Sequence, residues 1–182
     1  LGIDKNDIDI TVIGDGIAFA ETISREVNKP LSAVYKKFGT ALLELDNTKI
    51  EFASARKESY KSTSRKPDVE FSDLQSDLSR RDFTVNALAV SLNNNPNEVI
   101  DLFDGLTDLK EKTLRTPLEP EKTFSDDPLR MMRACRFASQ LGFEIAGNTF
   151  HAIKQMRDRI RIVKESNNVV SQERITDEFL KI

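Results

Sequence analysis

The sequence predicts an α+β fold, a small mixed sheet flanked by helices and followed by an all-α portion. Three observations predict it. Apolar residues alternate with the period of a strand in Asp7–Ile13 and in Lys49–Ala55. They recur with the period of a helix in Ile17–Asn28. Beyond Pro117 and Pro120 only helical patterns remain.

Taken in order, Asp7-Ile8-Asp9-Ile10-Thr11-Val12-Ile13 reads as a strand. Successive strand side chains point to opposite faces, so Asp7 and Asp9 share one face while Ile8, Ile10 and Val12 point into a core. Gly14-Asp15-Gly16 makes a turn into a helix over Ile17–Asn28, where Ile17, Ala20, Ile23 and Val27 form the apolar stripe. Short strands follow at Ala33–Tyr35, Thr40–Asp46 and Lys49–Ala55, the last two joined by the turn-forming Asp46-Asn47. Arg56–Asp73 is polar and rich in Lys, Ser and Arg, and reads as a mobile loop. A helical turn around Arg81–Asn86 leads into a strand at Ala87–Leu92, and Asn93–Asn97 turns it back into Val99–Phe103 as a hairpin. Pro117 and Pro120 mark a boundary. Pro128 suits the first turn of a helix running to Gln140, with Gly142 as its stop. Two more helices are expected at Asn148–Arg159 and Gln172–Ile182.

Composition sets the limits of function. At 182 residues the chain holds one domain, or one domain with a helical appendage. With 38% hydrophobic and 31% charged residues it has apolar material enough for a core. The net charge of -3 gives no global basic signal, so a nucleic-acid contact must rest on a local patch. No apolar run spans a bilayer and no signal-peptide pattern stands out, which makes a cytoplasmic location the default. Cys135 is the single cysteine and His151 the single histidine, so an internal disulfide, a His-rich metal site and a His-based nucleophile relay are all disfavoured.

Three clusters carry candidate chemistry. Asp7 and Asp9 stand roughly 7 Å apart along their strand, at about 3.3 Å per residue, and can converge on Mg²⁺. Two such ions clamp the attacking and leaving oxygens of nucleotidyl transfer. The ordinary alternative for D-x-D alone is the wet face of an edge strand. Glu51 alternates with Ile50 and Phe52 and can face the same way as a third carboxylate. In the second cluster, Arg80 and Arg81 lie between Asp77 and Asp82; guanidinium forks suit phosphate oxygens, and an adjacent Asp or Asn suits a ribose hydroxyl. A helix start capped by Asp82 explains the same residues. In the third, Asp126 and Asp127 precede a helix, Asp127 and Arg130 form an i,i+3 pair, and Arg130, Arg133 and Arg136 make a basic face. An acceptor beside a planar donor fork also matches the edge of a nucleobase.

Together these motifs resemble the class II tRNA nucleotidyltransferases, the family of CCA-adding enzymes and bacterial poly(A) polymerases, in its head and neck portion. Leu1-Gly2 followed by Asp7-Ile8-Asp9 resembles the end of the family's first motif, and Asp77 to Leu88 its RRDFTxNAL motif. Asp101-Leu102-Phe103-Asp104-Gly105 with Asp108-Leu109 resembles its D-x-F-x-G-x-x-D-L segment. Asp126–Arg130 resembles the E/D-D-x-x-R motif, and Gln172-Glu173-Arg174 with Glu178 the last neck motif. The resemblance implies a polymerase-β-like head over residues 1–116 and a helical neck over 117–182. It implies that Asp7, Asp9 and Glu51 are catalytic, with Asp7 and Asp9 holding Mg²⁺. Arg80, Arg81, Asp82 and Asn86 would hold the nucleotide's triphosphate and ribose, Gly2 and Arg133 would also bind the nucleotide, Asp127 and Arg130 would read its base, and Glu173 and Arg174 would stiffen the neck behind them. The implied activity adds CCA to tRNA 3′ ends from CTP and ATP. The alternatives are a poly(A) polymerase using ATP only, or a non-catalytic nucleotide- or RNA-binding module. The family's Gly-Gly-x-Val-Arg-Asp segment does not precede Leu1, and no tRNA-gripping body follows Ile182. The chain is therefore expected to be a truncated piece, weak or inactive alone.

Overall fold

The computed structural model describes residues 7–59, 68–93, 95–161, 163–164, 167–168 and 170–182. The chain folds as two compact units: residues 7–59 with 68–77 form the first, and Leu78–Ile182 belong to the second.

The first unit is a four-stranded sheet with one helix on it. β1 (Asp7–Val12) runs parallel to β4 (Thr48–Ser54), which pairs antiparallel with β3 (Thr40–Leu45), itself antiparallel to β2 (Leu31–Tyr35). The sheet is mixed, in the order β1-β4-β3-β2. Helix α1 (Gly16–Glu26) supplies the crossover side, starting where Asp15 Oδ1 accepts from the backbone N–H groups of Ile17 and Ala18, each at 3.0 Å. Its Ala20 packs with Ala41, Leu43 and Phe52, flanked by Ile10, Val12, Ile17, Ile23 and Ile50. Ser54, almost fully buried, fixes the entry to α1: it accepts from Gly16 N at 2.9 Å and donates to Gly39 O at 3.2 Å. Gly39 turns the chain into β3 with φ +61°, a conformation that suits glycine.

Two expectations need correction here. Ile8 does not enter the core; it is 48% exposed, because α1 covers Ile10 and Val12 but not the start of β1. Nor is Arg56–Asp73 all loop: β5 (Arg56–Ser59) pairs antiparallel with β6 (Asp68–Phe71). The stretch is polar throughout, so it lacks the one-sided alternation that betrays a strand. The expected loop residues 60–67 lie outside the described residues.

The chain passes into the second unit within α2 (Leu74–Ser79), a short helix that the sequence did not suggest. A 3-10 turn over Thr84–Asn86 leads to the hairpin of β7 (Leu88–Val90) and β8 (Val99–Asp101). Helices α3 (Gly105–Glu111), α4 (Pro120–Asp126), α5 (Leu129–Leu141), α6 (Gly147–Met156) and α7 (Gln172–Phe179) follow. Between them β9 (Thr113–Leu114) pairs in parallel with β10 (Glu144–Ile145), whereas β11 (Val163–Lys164) pairs antiparallel with β12 (Asn167–Asn168). Helix α5 ends at Gly142, in the left-handed region at φ +65°. It is the central element of the unit. One side joins Phe83, Leu114, Ala134 and Phe143; the other joins Phe124, Met131 and Ala152. The expected head–neck boundary at 116–117 falls inside this unit, where the backbone N–H of Thr84 donates to Arg115 O at 2.8 Å.

Candidate active site

In the first unit, the register of β1 against β4 sets Asp7 opposite Lys49, Asp9 opposite Glu51 and Thr11 opposite Ala53. Paired residues of neighbouring strands share a face, so Asp7, Asp9 and Glu51 all lie on the sheet face opposite α1. All three are exposed. Among the described residues no three His, Cys, Asp or Glu side chains converge to hold a metal ion unaided, so Glu51 stands beside Asp9 without closing a three-carboxylate cage. The donor set nevertheless fits Mg²⁺, which takes one or two carboxylates and completes its shell with waters and substrate phosphates.

In the second unit, the Arg80–Asn86 loop is fixed from several sides. Asp82 Oδ1 accepts from its neighbour's backbone, Phe83 N, at 2.9 Å and from Asn86 Nδ2 at 3.0 Å. Its Oδ2 accepts from Arg133 Nε at 2.7 Å. Asp82 therefore does not cap a helix; it ties the loop to α5. The carbonyl of Arg80 accepts from Arg130 Nη2 at 2.7 Å, a second tie to the same helix. Below the loop, Thr84 Oγ1 donates to Asp108 Oδ2 at 2.7 Å, and Arg115 Nε donates to Asp108 Oδ1 at 3.1 Å. Thr84, Asp108 and the ion pair make a buried prop. A Cβ on Gly105 would collide with the carbonyl oxygen of Thr84, so glycine is required there. Asp101 completes the support. Burial opposes its charge, but backbone donors from Leu106, Gly105 and Phe103 outweigh it and hold the carboxyl below its ordinary range. The D-x-F-x-G-x-x-D-L segment thus acts as scaffold for the loop.

The expected side-chain pair between Asp127 and Arg130 does not form. Asp127 Oδ1 accepts from Leu129 N at 3.1 Å at the start of α5, and its Oδ2 faces Arg174 Nη2 at 3.5 Å. Arg130 turns instead to the carbonyls of Arg80 and Thr123. The reason is local: Asp127 serves the first turn of α5 with one oxygen and turns the other toward α7, which draws it from Arg130 while leaving each oxygen a further lone pair. Asp126 ends α4, where Lys122 pairs with it at 3.0 Å. Glu173 is exposed; the acid of α7 that does engage α5 is Glu178, which sequence reasoning grouped with a motif but gave no role. Glu178 Oε2 accepts from Arg136 Nε at 2.6 Å, and Oε1 lies 3.7 Å from Arg133 Nη1. The sequence signal was only the i,i+3 spacing of Arg133 and Arg136 on α5, which calls for an acid without saying which. Gly2 lies outside the described residues.

Residues 1–115 match the Poly A polymerase head domain family. The chain belongs to that family. Residues 142–182 further match the family described as the probable RNA and SrmB-binding site of polymerase A. The chain is 44% identical to an A-adding tRNA nucleotidyltransferase of Geobacter sulfurreducens, over 85% of this chain and 17% of the relative. It is 39% identical to a CCA-adding enzyme of Enterococcus faecalis, over 97% of this chain and 40% of the relative. The chain thus spans less than half the length of these curated relatives. Among solved structures, it superimposes with a TM-score of 0.81 and 33% identity on a tRNA nucleotidyltransferase complexed with a primer tRNA and an incoming ATP analog, covering 98% of this chain and 48% of that one. A Bacillus stearothermophilus CCA-adding enzyme in complex with CTP gives 0.76 at 31% identity, covering 99% and 40%. These are structures of the same mixed α/β head and helical neck. Among the described residues no helix is long and apolar enough to cross a membrane.

Proposed function

We propose that the chain carries the nucleotide-adding site of a tRNA nucleotidyltransferase, with the head over residues 1–116 and the neck over 117–182, working in the cytoplasm. The reaction is attack of a tRNA 3′-hydroxyl on the α-phosphorus of CTP or ATP, with pyrophosphate leaving. The observation that carries this reading is the exposed Asp7 and Asp9 on one face of β1, in register with Glu51 on β4.

Asp7 and Asp9 would hold Mg²⁺, which would neutralise charge developing on the reacting oxygens. Glu51, in register with Asp9, would add a third acidic side chain to the same face. In the second unit Arg80 and Arg81 supply guanidinium forks for the triphosphate, and exposed Asn86 offers an amide to the ribose. Asp82 has two donors on Oδ1 and Arg133 on Oδ2, so its part is to orient Asn86 and Arg133. Arg130 and Asp127 present a donor and an acceptor for the base; CTP and ATP both carry an exocyclic amino group that an Asp can accept from. Gly2 belongs to the triphosphate cradle by resemblance alone.

A second reading, addition of A only, is favoured by one observation: the relatives at 44% and 41% identity over 156 residues are both A-adding tRNA nucleotidyltransferases. The test offers tRNA lacking its 3′ terminus, and tRNA ending in CC, with CTP and ATP separately. Sequential C, C and A addition by the full-length protein supports the first reading; addition of A to the CC end alone supports the second; long A tails or no addition overturn both.

A further inference from the structure

We propose that Glu178, on α7, is a positioning residue for the nucleotide-holding loop Arg80–Asn86, acting through Arg133 and Arg136 of α5. Glu178 is buried at 7% exposure, and a carboxylate is seldom buried unless paired. It accepts from Arg136 Nε at 2.6 Å and stands 3.7 Å from Arg133 Nη1. Arg133 Nε in turn donates to Asp82 Oδ2 at 2.7 Å, and Asp82 Oδ1 receives Asn86.

A second path runs beside the ionic one. The Arg136 guanidinium lies 4.2 Å from the centre of the Phe137 ring, and Phe137 meets Phe83 edge-on at 5.8 Å between ring centres. Phe83 directly follows Asp82. Both routes start at one acid and end on the same loop.

The physical consequence is a fixed aim. Arg133 carries one fork and two carboxylates compete for it. With Glu178 holding Arg136 and the far side of Arg133, the Arg133 fork is held toward Asp82, and Asn86 keeps its orientation. Without the Glu178 charge, two guanidiniums three residues apart on α5 repel, Arg136 loses its acid and Asp82 is left as the acid of Arg133. The loop then loses its single arrangement, and nucleotide binding weakens while the folded core persists.

The inference rests on the proposed nucleotide site, and the experiment separates the two. Nucleotide Kd is measured by titration of CTP and of ATP in Mg²⁺, alongside thermal midpoint, for the unaltered protein, Glu178→Gln and Glu178→Asp. The expected result is a roughly tenfold rise in Kd for Glu178→Gln with one binding site retained. Glu178→Asp keeps the charge one methylene shorter, folds, and gives an intermediate Kd. A role in stability alone would lower the midpoint and leave the Kd of the folded fraction unchanged in both variants; that outcome overturns the inference and leaves the site standing. Absence of nucleotide binding by the unaltered protein overturns both.

Discussion

Asp108→Ala tests whether the buried prop under the Arg80–Asn86 loop holds it in place. Asp108 is 2% exposed and accepts from Thr84 Oγ1 at 2.7 Å and from Arg115 Nε at 3.1 Å. Removing it strands the Thr84 hydroxyl, itself 1% exposed, at a cost of about 1–3 kcal/mol for an unsatisfied buried donor. The Arg115 side chain is 45% exposed, so its guanidinium regains water and adds little. The sum stays at about 1–3 kcal/mol, which for a chain of this size lowers the thermal midpoint by roughly 2–12 °C. Circular dichroism melts of Asp108→Ala, Thr84→Val and the double variant measure it. Replacing both partners by apolar groups removes the stranded hydroxyl, so the double variant should be more stable than Asp108→Ala alone. A single variant within about half a kcal/mol of the parent, or a double variant losing the sum of the singles, would refute the reasoning.

Ser54→Ala leaves Gly16 N without its acceptor at the start of α1, and should lower stability by about 1–3 kcal/mol in denaturant titration. Asp101 carries a pH signature. Its folded carboxyl is held below the ordinary value, so its contribution is full above that value and is lost as pH falls through the folded one. Asp101→Asn should therefore be less stable than the parent near neutrality, and the gap should close on acidification below about pH 4, as followed by melts across pH.

Much of the first unit was legible in the sequence. The alternation of β4 follows from one buried face and one wet face, and the same alternation let Glu51 face the same way as the aspartates of β1. Asp15 and the stripe of α1 announced the helix, as Pro128 and Gly142 announced α5. Short elements escaped. Helix α4 spans seven residues behind Pro120, where the proline read as a boundary although it sits in the first helical turn. Helix α3 is equally short and ends on Lys112 at φ +54°, a left-handed position that sequence normally signals by glycine. The paired β5 and β6 escaped because polar residues fill the stretch.

The candidate site divides in the same way. Asp7, Asp9 and Glu51 share a strand face, which is a local property that periodicity exposes. The long-range partners of Asp82, Arg130 and Glu178 lie 42 to 51 residues away along the chain, and no spacing rule reaches that far. Sequence therefore suggested Asp127 for Arg130, the nearest acid, whereas tertiary packing gave Arg130 the carbonyl of Arg80. Short-range pairing loses wherever a backbone acceptor offers a better-aligned bond at 2.7 Å.

The central claim, that Asp7 and Asp9 hold the ion for nucleotide addition, is tested most directly by one rate. Mg²⁺-dependent incorporation of labelled nucleotide into a tRNA lacking its 3′ terminus is measured for the full-length protein and for its Asp7→Ala variant, an exposed strand position whose loss leaves the core intact. The account predicts a fall of at least about a hundredfold with unchanged thermal midpoint. Addition at the parent rate would contradict it.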